Sequence, residues 1–265
     1  MRALRGLRSG ARRRFVIVAF LVAAIVLPSA PLHAGPPGDL NTFCGTAADL
    51  TQLVLGEGSV PEQNAPPGKI RKFKKRLLKL LDRAEQTAPA EIANQVSFAS
   101  ELTVVDSRSA SEFPDILQIL EPMQAIKRFV ADNCGFQTVK VAAREYEFSG
   151  IPNALERETV VFDLTNEGAE VHEMAFGRIK GDRSLDALLE LSERERSRLN
   201  QIEELGAGAL AAPGSSDVAL VRFSKPGRYA IACFVPVGTT RVDADTDGLP
   251  HTSEGMFVEF VVEAR

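Results

Sequence analysis

Apolar residues fall at helical intervals through the first half of this 265-residue chain and at strand-like intervals through the second. Residues 42–55 open with a helical spacing. Ile70, Phe73, Leu77, Leu80 and Leu81 repeat it, with lysines and arginines on the opposite face. A third helix is expected over residues 90–102, entered at Pro89. Ile116, Ile119, Leu120, Met123, Ile126 and Phe129 make a fourth stripe, which Asn133, Cys134 and Gly135 bring to an end. Between the stripes, residues 56–68 hold three prolines and three glycines and read as a loop, and residues 107–114 form a polar break. Four short amphipathic helices predict a small bundle over residues 35–136. The basic run from Lys69 to Lys79 is read as its solvated face rather than a docking patch.

From Gln137 the period changes. Residues 139–148 alternate, Thr159, Val160, Val161, Phe162 and Leu164 mark a second strand, and Asn166, Glu167 and Gly168 signal a turn. Further strands are expected at 171–179, 217–223, 228–234 and 257–263. Residues 184–205 read as helical, with Leu185, Leu188, Leu189, Leu199, Ile202 and Leu205 on one side and Ser184 at the start. The predicted fold class is therefore α+β in two parts: a helical bundle, then an all-β Greek-key sandwich over residues 137–265 with a helical insertion.

The first 34 residues stand apart. Six arginines precede a 13-residue apolar run from Phe15 to Leu27, and Ala34 offers a small-residue cleavage site. This is the pattern of a secretory signal peptide, and the run is too short to span a bilayer comfortably. Arg12, Arg13 and Arg14 leave Sec and twin-arginine export both open. The product is expected outside the cytoplasm, secreted or in the cell envelope, with no stable membrane insertion. Of 31 basic and 35 acidic residues, removal of the leader leaves 25 against 35, a net charge of −10. That surface disfavours nucleic acid and suits a basic protein partner, although solubility alone also accounts for it.

Three cysteines remain, an odd number for an oxidising compartment. Cys44 and Cys134 flank the predicted bundle, and a disulfide between them would staple its ends, worth about 4–5 kcal/mol as an upper figure on the chain-entropy model. Cys233 is left over. A free thiol persists outside the cytoplasm when it is deeply buried or bound to a metal. Beyond residue 34 the chain has two histidines, His172 and His251, and Met256 follows five residues after the second. A thiolate, two imidazoles and a weak thioether, in the order His, Cys, His, Met, are the donors of a mononuclear blue copper site. Met174 lies on the His172 face and is read as core.

Three segments carry a family resemblance: Asn166-Glu167-Gly168-Ala169-Glu170-Val171-His172, Pro226-Gly227-Arg228-Tyr229-Ala230-Ile231-Ala232-Cys233, and Pro250-His251-Thr252-Ser253-Glu254-Gly255-Met256. With them, residues 139–263 resemble the cupredoxins, the plastocyanin- and azurin-like proteins. The resemblance implies one type 1 copper held by His172, Cys233 and His251, with Met256 on the axis, and single-electron exchange with a redox partner protein. One departure is plain: the family usually places the second histidine a few residues after the cysteine, whereas Cys233 and His251 are 18 apart. That loop raises a rival. Asp243, Asp245, Asp247, Gly248 and Glu254 match a calcium-loop spacing over residues 243–254. Strands rather than helices flank it, and Pro250 lacks the backbone N–H such a loop uses, which argues against calcium. No histidine beyond the two ligands is left as a general base, so an electron carrier is favoured over an enzyme. The alternative is a copper-carrying or metal-free binding module of the same fold.

Overall fold

A computed structural model describes residues 39–54, 65–106, 116–156, 158–244 and 246–264. The expected signal peptide, the loop up to residue 64 and the break at 107–114 lie outside the described residues. Helices α1 (Leu40–Val54), α2 (Pro67–Thr87), α3 (Ala93–Asp106) and α4 (Ile116–Asn133) follow the four apolar stripes. In α2, Ile70, Phe73, Leu77 and Leu81 are buried with Lys74, while Lys69, Arg71, Lys72, Lys75, Arg76 and Lys79 are exposed, so most of the basic run is a solvated face. Cys44 and Cys134 are joined by a disulfide across a separation of 90 residues, tying α1 to the end of α4. Among the described residues no helix is long and apolar enough to cross a membrane.

The second half is a sandwich of two mixed sheets. One has four strands in the order β2-β1-β4-β7: β1 (Gln137–Arg144), β2 (Glu147–Ser149), β4 (Thr159–Asn166) and β7 (Ser216–Arg222). The other has five, in the order β3-β9-β8-β5-β6: β3 (Ala154–Glu156), β5 (His172–Ile179), β6 (Ile202–Ala211), β8 (Gly227–Ala232) and β9 (Phe257–Glu263). Both sheets are mixed, because β1 runs parallel to β4 and β3 parallel to β9. The interior is filled by alternate residues of both sheets, among them Val141, Phe162, Leu164, Val221, Phe176, Tyr229, Ile231 and Phe260.

The four-stranded sheet is covered on its outer face too. Val161, Val218 and Leu220 belong to the same apolar cluster as Phe43, Leu50, Leu77 and Ile126 of the helices. A strand buried on both faces reads as an unbroken apolar run, as Val160-Val161-Phe162 and Val218-Ala219-Leu220-Val221 do. The bundle therefore rests on the sandwich and shares a core with it.

The helical insertion is shorter than its pattern predicts. Helices α5 (Leu185–Leu189) and α6 (Glu193–Leu199) form, but residues 200–205 do not continue them. Asn200 adopts φ 48°, which ends the helix, and Ile202 begins β6. Ile202 pairs with Ile179 and Leu205 with Phe176, so strand pairing overrides the local helical preference. Leu185 and Leu188 instead pack on Ala230 and Ile179 of the five-stranded sheet.

Candidate metal centre

His172, Cys233 and His251 come from the start of β5, the end of β8 and the turn before β9. Asn166 sets the first. At the end of β4 its side-chain amide donates to the carbonyls of Glu170 (2.7 Å) and Ala211 (2.8 Å), and its Oδ1 accepts the Gly168 N–H (2.8 Å). This knits the turn that delivers the chain to His172. Cys233 follows β8, where its N–H donates to Met256 O (3.1 Å) and its carbonyl accepts from Thr252 N–H (3.0 Å). A single 3-10 turn, His251–Glu254, separates the last two predicted ligands. Gly255 closes it at φ 94°, a conformation in which a side chain is strained, and the Met256 N–H returns to His251 O at 3.0 Å.

The 18-residue separation of Cys233 and His251 does not loosen this arrangement, because the loop leaves and returns at one place. His251 N–H donates to Val235 O (2.9 Å), Val237 N–H donates to Leu249 O (2.8 Å), and Pro236 bridges Pro250. Gly248 makes the closure possible, since a Cβ there would run into the backbone of Val237. The tip of the loop turns inward: Thr239 is fully buried and its carbonyl accepts the Val171 N–H at 2.7 Å. The stretch that matches a calcium-loop spacing runs from this excursion into the 3-10 turn, where Glu254 is exposed. Within the stretch Asp243 is paired with Arg241, Asp247 is exposed, and Asp245 lies outside the described residues.

One donor atom from each of His172, Cys233 and His251 lies within 4.8 Å of the other two, and all three side chains are fully buried. Cys233 Sγ is 3.3 Å from His251 Nδ1 and accepts the Glu173 N–H at 3.3 Å. The two imidazole rings are 5.1 Å apart. Met256 is fully buried in the same cluster as Cys233, and Met174 is packed into that core as its strand position predicts.

The electrostatics suit a metal. Neither ring nitrogen of His172 has a hydrogen-bond partner, and a buried polar atom left so is costly. Burial, reinforced by the neighbouring His251, holds the His172 pKa below the ordinary imidazole value, so the ring is neutral at pH 7 with a lone pair to offer. Burial pushes the Cys233 thiol up to about 12. A partnerless neutral imidazole, a second imidazole and an unpaired thiol converging in a dry pocket fit a bound cation that accepts two nitrogens and a thiolate.

A two-sheet sandwich that brings a His-Cys-His triad together at the end of β8 decides the architecture. The C-terminal half is a cupredoxin-like domain. No protein-family model and no curated protein sequence matches the chain. Solved structures do. Auracyanin B is 20% identical with a TM-score of 0.32, over 48% of this chain and 88% of its own. Auracyanin A, a blue copper protein of Chloroflexus aurantiacus, is 19% identical with a TM-score of 0.30, over 49% of this chain and 100% of its own. A copper-containing nitrite reductase from Thermus scotoductus SA-01 is 14% identical with a TM-score of 0.27, over 49% and 31%.

Around the triad of the cupredoxin-like domain stand residues that sequence patterns did not single out. Glu170 Oε2 lies 2.9 Å from His251 Nε2, and Glu145 Oε1 lies 3.6 Å from His172 Nε2. Burial works against the Glu145 charge, but N–H groups of Glu170 and Ala169 hold its carboxyl below the usual range. Tyr146 stacks edge-on against His251, with ring centroids 5.0 Å apart. No spacing rule links Glu170 to a histidine 81 positions away.

Proposed function

We propose that this chain is an exported type 1 (blue) copper protein that transfers single electrons through one mononuclear copper. His172, Cys233 and His251 would hold the copper through two imidazoles and a thiolate, with Met256 as a weaker thioether donor. The buried triad with its partnerless His172 nitrogens carries the reading. When bound, copper supplies a one-electron couple. The protein's part is to hold the donors still. His172 and His251 offer imidazole nitrogens, Cys233 gives up its proton to become a thiolate, and the pinned 234–250 loop keeps His251 in place. A rigid, dry donor set resists rearrangement when the charge of its guest changes, which favours fast electron exchange.

The reading is of a carrier rather than an enzyme, since both histidines beyond residue 34 are spent as ligands. It divides the chain into a leader (1–34), a helical region (35–136) and the copper domain (137–265). The arginine-rich start and short apolar run support export, and the acidic balance supports a basic redox partner.

The test is a titration of the purified metal-free protein with Cu(II) while recording the visible spectrum. An intense thiolate-to-copper band that saturates at one equivalent and vanishes in Cys233→Ala is expected. A protein that takes up no copper, or whose band survives Cys233→Ala, defeats the reading.

A further inference from the structure

We infer that Glu170 is a positioning residue for the metal: its carboxylate fastens the Nε2 edge of His251, leaves Nδ1 as the donor, and favours Cu(II) over Cu(I). The inference rests on the copper reading above. Glu170 is gripped from three elements. Its Oε2 accepts the Gly238 N–H from the 234–250 loop at 2.6 Å and faces His251 Nε2 at 2.9 Å, while its Oε1 accepts the Tyr146 hydroxyl from the β1–β2 turn at 3.3 Å. The carboxylate itself comes from the turn between β4 and β5.

An ionised carboxylate only accepts hydrogen bonds. With the Glu170 carboxylate as the acceptor, the 2.9 Å contact takes an N–H at His251 Nε2, and the other ring nitrogen, Nδ1, is the one 3.3 Å from Cys233 Sγ. Two ring nitrogens thus receive separate tasks from two neighbours. His172 has no such fastening, since its nearest carboxylate oxygen is 3.6 Å away and makes no hydrogen bond. The asymmetry assigns a purpose to the long loop after Cys233: it provides the Gly238 N–H that holds the carboxylate against His251. A carboxylate on the far nitrogen makes the ring a stronger donor, and the added electron density serves the more highly charged oxidation state better.

The experiment compares the wild-type protein with Glu170→Gln and Glu170→Ala. Competition titrations give Cu(II) and Cu(I) affinities, voltammetry gives the potential, and the melting temperature of each metal-free protein tracks folding. The Cu(II) affinity is expected to fall about 10–100-fold, the range typical of lost outer partners of metal-binding histidines. The Cu(I) affinity should change less. Each tenfold difference between the two losses raises the potential by about 59 mV. Equal losses for both oxidation states, with an unchanged potential, overturn the inference and leave Glu170 a purely structural residue. A second readout does not need copper. Nitrogen-15 NMR of the metal-free protein should show His251 protonated on Nε2 in the wild type and a tautomer mixture in Glu170→Ala. A wild-type His251 protonated on Nδ1 overturns the inference even if copper binds. A protein that binds no copper refutes the function proposed above, while the tautomer still reports on Glu170.

Discussion

Two regions of this molecule bury ionisable side chains, and they treat them in opposite ways. At the seam between the bundle and the four-stranded sheet, every such group named here has its counterpart. Lys127, on α4 and almost fully buried, places Nζ 2.9 and 3.0 Å from the two carboxylate oxygens of Asp217 on β7, and Asp217 also accepts the Leu210 N–H at 3.1 Å. Around this buried pair lie two partly exposed ones, Arg128 with Asp163 at 3.0 Å and Arg222 with Asp49 of α1. At the end of the sandwich that holds the triad, His172 has no partner for either nitrogen and Cys233 keeps a thiol pushed up to about 12. Lys127 and Asp217 satisfy one another within the fold. Buried polarity left open at a convergence of donors is satisfied by something that binds there.

The comparison breaks most visibly at the seam. Lys127→Met strands the Asp217 carboxylate in a largely buried position and is expected to cost about 3 kcal/mol of unfolding free energy, the low end for a broken buried pair because the Leu210 N–H remains. Lys127→Met combined with Asp217→Leu should recover most of that loss in urea unfolding. A single variant as stable as the wild type would mean that the pair contributes nothing.

The next effect lies at the metal centre and depends on pH. Because the Cys233 thiol is raised to about 12 in the metal-free protein and His172 is held below the ordinary imidazole range, both are in their neutral forms near pH 8. The thiol must then lose its proton on binding, so copper uptake should release protons. Affinity should climb about tenfold, or about 1.4 kcal/mol, for each unit of rising pH until the thiol itself titrates. Calorimetry in buffers of different ionisation enthalpy counts the protons, and a count of zero contradicts the protonated thiol.

The smallest effect has the opposite sign to the seam. His172→Leu removes two unsatisfied nitrogens from the metal-free protein and should leave it unchanged or stabilise it by about 1 kcal/mol. The same variant should not gain the added stability that copper gives the wild type. Marked destabilisation of the metal-free variant would show that His172 serves the fold after all.

Much of this was readable along the chain. The four apolar stripes announced the helices, and the odd cysteine count separated Cys233 from the pair that forms the disulfide. The misreading of residues 200–205 as helix has a specific cause. Ile202 and Leu205 fit a helical face as well as a strand, and only pairing with Ile179 and Phe176 selects the strand. The unbroken run at Val218-Ala219-Leu220-Val221 carried a signal for burial on both faces, and with it the packing of the bundle on the sheet. Nothing comparable in the sequence marked Glu145, Tyr146 or Gly238.

The sequence by itself determined which donors were available beyond residue 34: two histidines, one unpaired cysteine and a nearby methionine in a chain otherwise built of helical and strand-like patterns. Residue type and periodicity are local properties, so they survive the reduction to one dimension. The tertiary structure alone decided that a long loop would return to its starting point, that the bundle would share its core with the outer face of a sheet, and that Glu170 would meet His251. Those outcomes depend on hydrogen bonds and burial between segments tens of residues apart, and no local pattern encodes which of many distant partners wins.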